Sequence, residues 1–218
     1  VAETASEPES TAAKELQMYL KQISSADFPL TSINIPSGIT PHSALRTLHP
    51  SLPSKTIYIG IFPPNTKENG SLANGGDDES FTYKSIGDDI YIYGGSERGT
   101  MYGVFSFLEN ELGVRWYTAD CTKVPKRKSW TFRSLVHSEK PFIPCRYTMY
   151  YRCADNKQWA AHNKNNFYWS VQHNEYGGAN ACLGAHTLSE LIPTDEFFNS
   201  HPEYFAMRSG KRKREGQR

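Results

Sequence analysis

The chain has 218 residues, of which 24 are Lys or Arg and 23 Asp or Glu, for a formal net charge of +1. This length suits one or two domains with a real core. The charge balance gives no electrostatic reason for a nucleic-acid partner, and no apolar run approaches the roughly 18 residues of a membrane-crossing helix. The polar opening VAETASEPES, without an initiator Met, is what either a cleaved secretory leader or a trimmed chain leaves. From Thr11 to Ile23, Ala12, Leu16, Tyr19, Leu20 and Ile23 fall on one helical stripe, with Ser10 or Thr11 as the predicted N-cap. A short strand is expected near Ile33, followed by a Pro- and Ser-rich loop. An apolar strand is expected over Lys55 to Ile61, and then a second loop.

The clearest local pattern follows. SFTYKSI and DIYIYGG are β-type runs separated by Gly87 and Asp88, which predicts a hairpin. It leads into SERGTMYGVFSFLENELGVRWY, where Met101, Val104, Phe105, Leu108 and Leu112 keep helical spacing. Gly99 and Gly103 lie four apart and share a face. Each costs close to 1 kcal/mol against Ala, so their presence predicts a helix backbone lying close against a sheet. Glu109 and Glu111 are expected on the solvated side, and Gly113 ends the helix before a strand at VRWYTA. The acidic clusters Asp77-Asp78-Glu79 and Asp88-Asp89 read as turn-forming, solvated residues.

A change of pattern near His137 to Pro141 divides the chain into 1–137 and 138–218. KPFIPCRYTMYYR reads as a strand entered through two prolines, and QWAAHNKNNFYWSV as a short helix and a second strand. TLSELIPTDEFFNSHPEYFAM mixes helical turn and loop. Four cysteines, Cys121, Cys145, Cys153 and Cys182, form no C-x-x-C pair. They allow three connectivities in an oxidising compartment, and free buried thiols are the expected state. Asn69-Gly70-Ser71 matches a glycosylation sequon that arises readily by chance. The basic run KRKRE near the end reads as a loop.

Taken together, AAKELQMYLKQIS, the hairpin and RGTMYGVFSFLENELGVRWY resemble the N-terminal α/β domain that precedes the barrel in α-glucuronidases and β-hexosaminidases. The likeness extends to a bacterial family of secreted glycoside-hydrolase-like proteins through His186-Thr187-Leu188, Pro193, Phe197-Phe198, His201 to Met207 and Gly210-Lys211-Arg212. It covers about Ala12 to Arg212. It implies an α/β (α+β) architecture: a mixed sheet with two packed helices over 1–137, then over 138–218 the first strands and helices of an incomplete (β/α)8 barrel. PFIPCRYTMYY is similar to a first barrel strand whose arginine reaches the sugar, here Arg146. NNFYWSV is similar to the second strand, with Asn166, Phe167 and Trp169 on the motif. Residues at the C-terminal ends of barrel strands face the active site. The resemblance therefore implies Arg146, Trp169 and His186 as substrate-binding residues and a glycan as partner, with no cofactor, metal or nucleic acid. It also implies export to the periplasm, the cell surface or the medium of a bacterium.

Glycosidases of this kind need two carboxylates flanking the scissile bond. In the resembled enzymes these come from later barrel strands, whereas this chain stops at GKRKREGQR. The expectation is accordingly a portion of a longer glycoside hydrolase, itself without the catalytic pair, whose open barrel edge invites self-association. Two other readings stand beside it. One is a non-catalytic carbohydrate-binding or interaction module. The other is a metal-dependent hydrolase using His162, His173, His186 and His201 with Glu175, Glu190 or Glu203, which has no H-E-x-x-H or paired C-x-x-C behind it. Arg146 has an alternative role as a salt-bridge partner. His186 has one as a loop-bonding histidine.

Overall fold

A computed structural model describes residues 1–34, 53, 55–63, 78–132, 134–148, 156–166, 175–178 and 188–214. The chain divides into two compact units, Val1–Asn180 and Ala181–Arg218. The expected junction near residues 137–141 falls within the first of them.

Helix α1 spans Glu7–Ser24, four residues earlier than the stripe suggests. Its N-cap is Ser6, and Glu9 completes a capping box: the Ser6 backbone N–H donates to Glu9 Oε2 at 3.0 Å. Strands β1 (Ile57–Ile59), β2 (Phe81–Ile86) and β3 (Asp89–Gly94) follow. Later comes β6 (Val136–Glu139), after the small ladder of β4 (Arg115–Thr118) and β5 (Cys121–Lys123). Among the described residues the principal sheet is mixed and four-stranded, in the order β1-β3-β2-β6. β1 runs parallel to β3, whereas β2 is antiparallel to both β3 and β6. The predicted hairpin forms with Gly87 and Asp88 at its turn. Near Ile33 there is a single parallel bridge to Ala2 in place of a strand.

The pleat sends alternate residues of β3 to opposite faces, and both faces are buried. On one, Ile92 with Phe81 and Tyr83 meets Leu16, Leu20 and Ile23 of α1 and Met101, Phe105 and Leu108 of helix α2 (Glu97–Asn110). On the other, Tyr58, Tyr91 and Tyr93 pack with Ile33 and Ile61. Tyr58 and Tyr91, register partners across β1 and β3, stack with centroids 4.7 Å apart. The chain is thus mixed α/β, with a mixed sheet and two helices packed on it.

The paired glycines of α2 do what their spacing predicts. A Cβ on Gly99 would lie 2.5 Å from the carbonyl oxygen of Ser80, and one on Gly103 would lie 3.0 Å from Ile92 Cγ2. Asp89 and Glu111 depart from expectation. Asp89 is buried, and its Oδ1 accepts the Thr56 N–H at 2.9 Å, tying the approach to β1 onto β3. Glu111 is not simply solvated, since its Oε1 accepts the Tyr83 hydroxyl at 3.0 Å.

After β6, residues 141–148 run without regular strand structure. Pro141 and Pro144 lack the N–H a ladder needs, and the Arg146 N–H donates to a side chain, Asn166 Oδ1, at 2.7 Å. Helix α3 (Lys157–His162) follows. The described residues of the second unit include two single-turn helices, α4 (Leu188–Leu191) and α5 (Thr194–Phe197). A 3-10 turn at Pro202–Tyr204 and a ladder of β7 (Met207–Arg208) with β8 (Lys211–Arg212) follow them. The two-stranded ladders are not parts of a closed barrel. Among the described residues no helix is long and apolar enough to cross a membrane.

Candidate functional site

The chemistry concentrates around Glu79, just before β2. This carboxylate, read from the sequence as a solvated turn residue, has a side chain only 3% exposed. Its Oε1 lies 2.9 Å from Arg98 Nε, and its Oε2 accepts from Arg146 Nη2. Asn166 Nδ2 donates to both oxygens at 3.1 Å. A buried carboxylate is tolerable only when paired and hydrogen-bonded, and two arginines with an amide meet that need. Its neighbour Asp78 keeps the turn role: the Ser80 N–H bonds to Oδ1 at 3.1 Å, and Ser80 holds the Asp78 carboxyl below its ordinary range.

Each partner reaches Glu79 from a different element. Arg98 sits in the first turn of α2, where the helix dipole disfavours a cation; the buried carboxylate and the Gly178 carbonyl, 3.1 Å from Nη1, offset this. Arg146 and Asn166 are joined twice, through the Arg146 backbone and both the backbone and the side chain of Asn166. The Asn166 N–H donates to the Arg146 carbonyl at 2.9 Å, and the Arg146 N–H to the Asn166 side chain.

The Arg146 guanidinium is fixed on several sides. Nε donates to the Lys164 carbonyl at 2.8 Å, Nη1 to the Ile143 carbonyl at 2.7 Å, and the Tyr102 ring centroid lies 5.8 Å from its carbon. Lys164 adopts a left-handed backbone, φ 56°, to present that carbonyl. A β-carbon-bearing residue holds such a conformation at a cost. With its side chain 20% exposed, Arg146 has one further N–H on each terminal nitrogen that no described residue accepts. Four and three positions before it in the chain, Phe142 is 98% exposed and Ile143 58%.

The alternative role of Arg146 as an ion-pair partner is therefore present, but it leaves part of the guanidinium without an acceptor among the described residues. Trp169 and His186 lie outside the described residues, as do His173, Cys153 and Cys182. Among the described residues no three His, Cys, Asp or Glu gather in the way a metal ion needs. His162 is buried and directed at Glu15, and His201 bonds Glu203 Oε1 at 3.0 Å.

Free thiols were expected. Cys121 is one, though exposed rather than buried, whereas Cys145, next to Arg146, is disulfide-bonded. Spacing alone gives no signal for that bond, because the pairing depends on how the chain folds.

Sequence reading missed Glu79 and Arg98. The available signal was the pairing of two locally unfavourable placements: an arginine in the first turn of a helix, and an acid immediately before an apolar strand. Over residues 116–217 the chain is similar to a family described as a domain of unknown function (DUF4838). That stretch includes Arg146 and Asn166 and begins after Glu79 and Arg98. No curated protein and no solved structure matches the chain.

Proposed function

We propose that this is a carbohydrate-active protein of glycoside-hydrolase type, acting on a plant or host glycan outside the bacterial cytoplasm, and that Arg146 is a sugar contact. The observation that carries the reading is the state of its guanidinium: held by the Lys164 and Ile143 carbonyls and by Glu79, with one N–H on each terminal nitrogen that no described residue accepts, in a segment that also exposes Phe142 and Ile143. A fixed planar donor in a segment that exposes an aromatic side chain suits a sugar ring, which offers hydroxyls at its edge and C–H bonds on its flat side. Glu79 is excluded as acid or base by its burial and its three partners, so these residues recognise rather than cleave.

Two further observations support the finer reading. The segments expected as the first two strands of a (β/α)8 barrel meet, among the described residues, at one backbone bond from the Asn166 N–H to the Arg146 carbonyl. The disulfide at Cys145 fits an oxidising compartment and thus export. Self-association belongs to the same proposal: β6 lies at an edge of the described sheet and exposes Val136.

A glycan array tests the reading. The chain is expected to retain a subset of plant or host glycans, and Arg146→Ala to weaken that binding by roughly 10-fold or more, as loss of charge-assisted hydrogen bonds does. Equal binding by Arg146→Ala, or no glycan retained, contradicts it.

A further inference from the structure

We propose that Glu79 is a positioning residue for sugar recognition by Arg146, so that the sheet supplies part of the recognition site instead of only supporting it. The inference rests on the reading of Arg146 as the sugar contact and adds a cause for its readiness. An arginine that is free to rotate must be ordered when a ligand arrives, whereas one already fixed binds without that loss.

Among the described residues, the groups that fix Arg146 are two carbonyls, the Tyr102 ring and one carboxylate. Only the carboxylate is charged, and it is itself immobilised, by Arg98 at 2.9 Å and by Asn166 at 3.1 Å. The arrangement depends on close approach of α2 to the start of β2. Gly99 presents no side chain to the Ser80 carbonyl, which lets its neighbour Arg98 meet Glu79. With 3% of its side chain exposed, Glu79 does not touch a ligand; it acts through Arg146.

Two readouts test this on the intact chain. In nitrogen-15 NMR the Arg146 Nε–H, assigned by its disappearance in Arg146→Ala, is expected to be resolved and slow to exchange. Glu79→Gln is expected to speed that exchange and to weaken binding of N-acetylglucosamine or glucuronate by about 10-fold. Arg98→Met removes the other cation from the same carboxylate but leaves the Glu79–Arg146 bond. It is expected to lower thermal stability while changing affinity by less than about 2-fold. If Glu79→Gln does not fold, the double variant Glu79→Gln/Arg98→Met, which removes a buried cation as well, takes its place against Arg98→Met alone.

Unchanged Nε–H exchange and affinity in the Glu79 variant overturn the proposal. So does an equal loss of affinity in Arg98→Met, which would make the network structural only. Wild-type affinity in Arg146→Ala is a separate failure: it removes the sugar-contact reading itself, and the proposal with it.

Discussion

The His162 imidazole lies nearly flat on the Trp116 indole, with centroids 4.4 Å apart and planes 22° apart. Phe105 meets the same imidazole edge-on at 4.7 Å. Enclosed by these rings, His162 Nε2 bonds Glu15 Oε2, while Gln158 Nε2 and the Tyr176 hydroxyl donate to Glu15 Oε1 at 3.0 and 2.9 Å. One carboxylate on α1 thereby holds α3 and the 175–178 segment. Removing it strands several buried polar groups. Glu15→Ala is expected to cost about 3–5 kcal/mol, measurable as the loss of unfolding free energy in urea.

The same carboxylate sets an acid limit on stability. Burial pushes its pKa up, but the hydrogen bond and charge of His162, with the bonds from Gln158 and Tyr176, outweigh burial, and the net value lies below the ordinary 4.5. A folded value below the unfolded one means that the stabilisation is whole above the unfolded pKa and is lost as pH falls through the folded one. Urea midpoints followed from about pH 6 to about pH 3 should therefore drop on the acid side, and Glu15→Gln should flatten that limb. An equally steep limb in the variant would show that other carboxylates set it.

Substitution at the two glycines of α2 separates backbone from side-chain contact. Alanine gains about 1 kcal/mol of helix propensity at either site. At Gly99 the new methyl meets the fixed Ser80 carbonyl at 2.5 Å, and overpacking of about 1–3 kcal/mol or more should win. At Gly103 it meets Ile92 Cγ2 and Phe81 Cβ at 3.0 and 3.2 Å, a crowding that a shift of a few tenths of an ångström relieves. Gly99→Ala should lower the melting temperature clearly, and Gly103→Ala should stay within about 1 kcal/mol of wild type.

Val136, 72% exposed on edge strand β6, is the residue through which self-association is expected. A lysine there blunts an open edge. Light scattering across a concentration series should show association by the wild type and less of it by Val136→Lys. A wild-type chain that stays monomeric throughout would contradict this.

Much of the sheet and its helices was legible in the sequence, since period-2 runs in β2 and β3 and a period-3.6 run in α2 mark the elements, although β3 and α2 are buried on more than one face. Gly99 and Gly103 announced the close approach because their cost needs a compensating contact. The start of α1 was legible too, in Ser6 and Glu9, but Pro8 between them conceals it until proline is placed in the first turn of a helix. Burial of Glu79 left only the indirect mark of an arginine in the first turn of α2, and that of Asp89 left no mark in the sequence. Their partners lie 67 and 33 positions away in the chain, and local composition marks an acid in a turn as solvated whether or not a distant cation reaches it. Arg146 was found through resemblance, while its orientation depends on carbonyls of Lys164 and Ile143 that carry no side-chain signature.

The most direct test of sugar recognition at Arg146 is a crystal structure of the chain with a glycan that the array retains. The account predicts sugar hydroxyls within about 3 Å of Arg146 Nη1 or Nη2, with the ring against Phe142 and the Glu79–Arg146 bond intact. A glycan bound elsewhere on the chain, with the Arg146 guanidinium untouched, would contradict it.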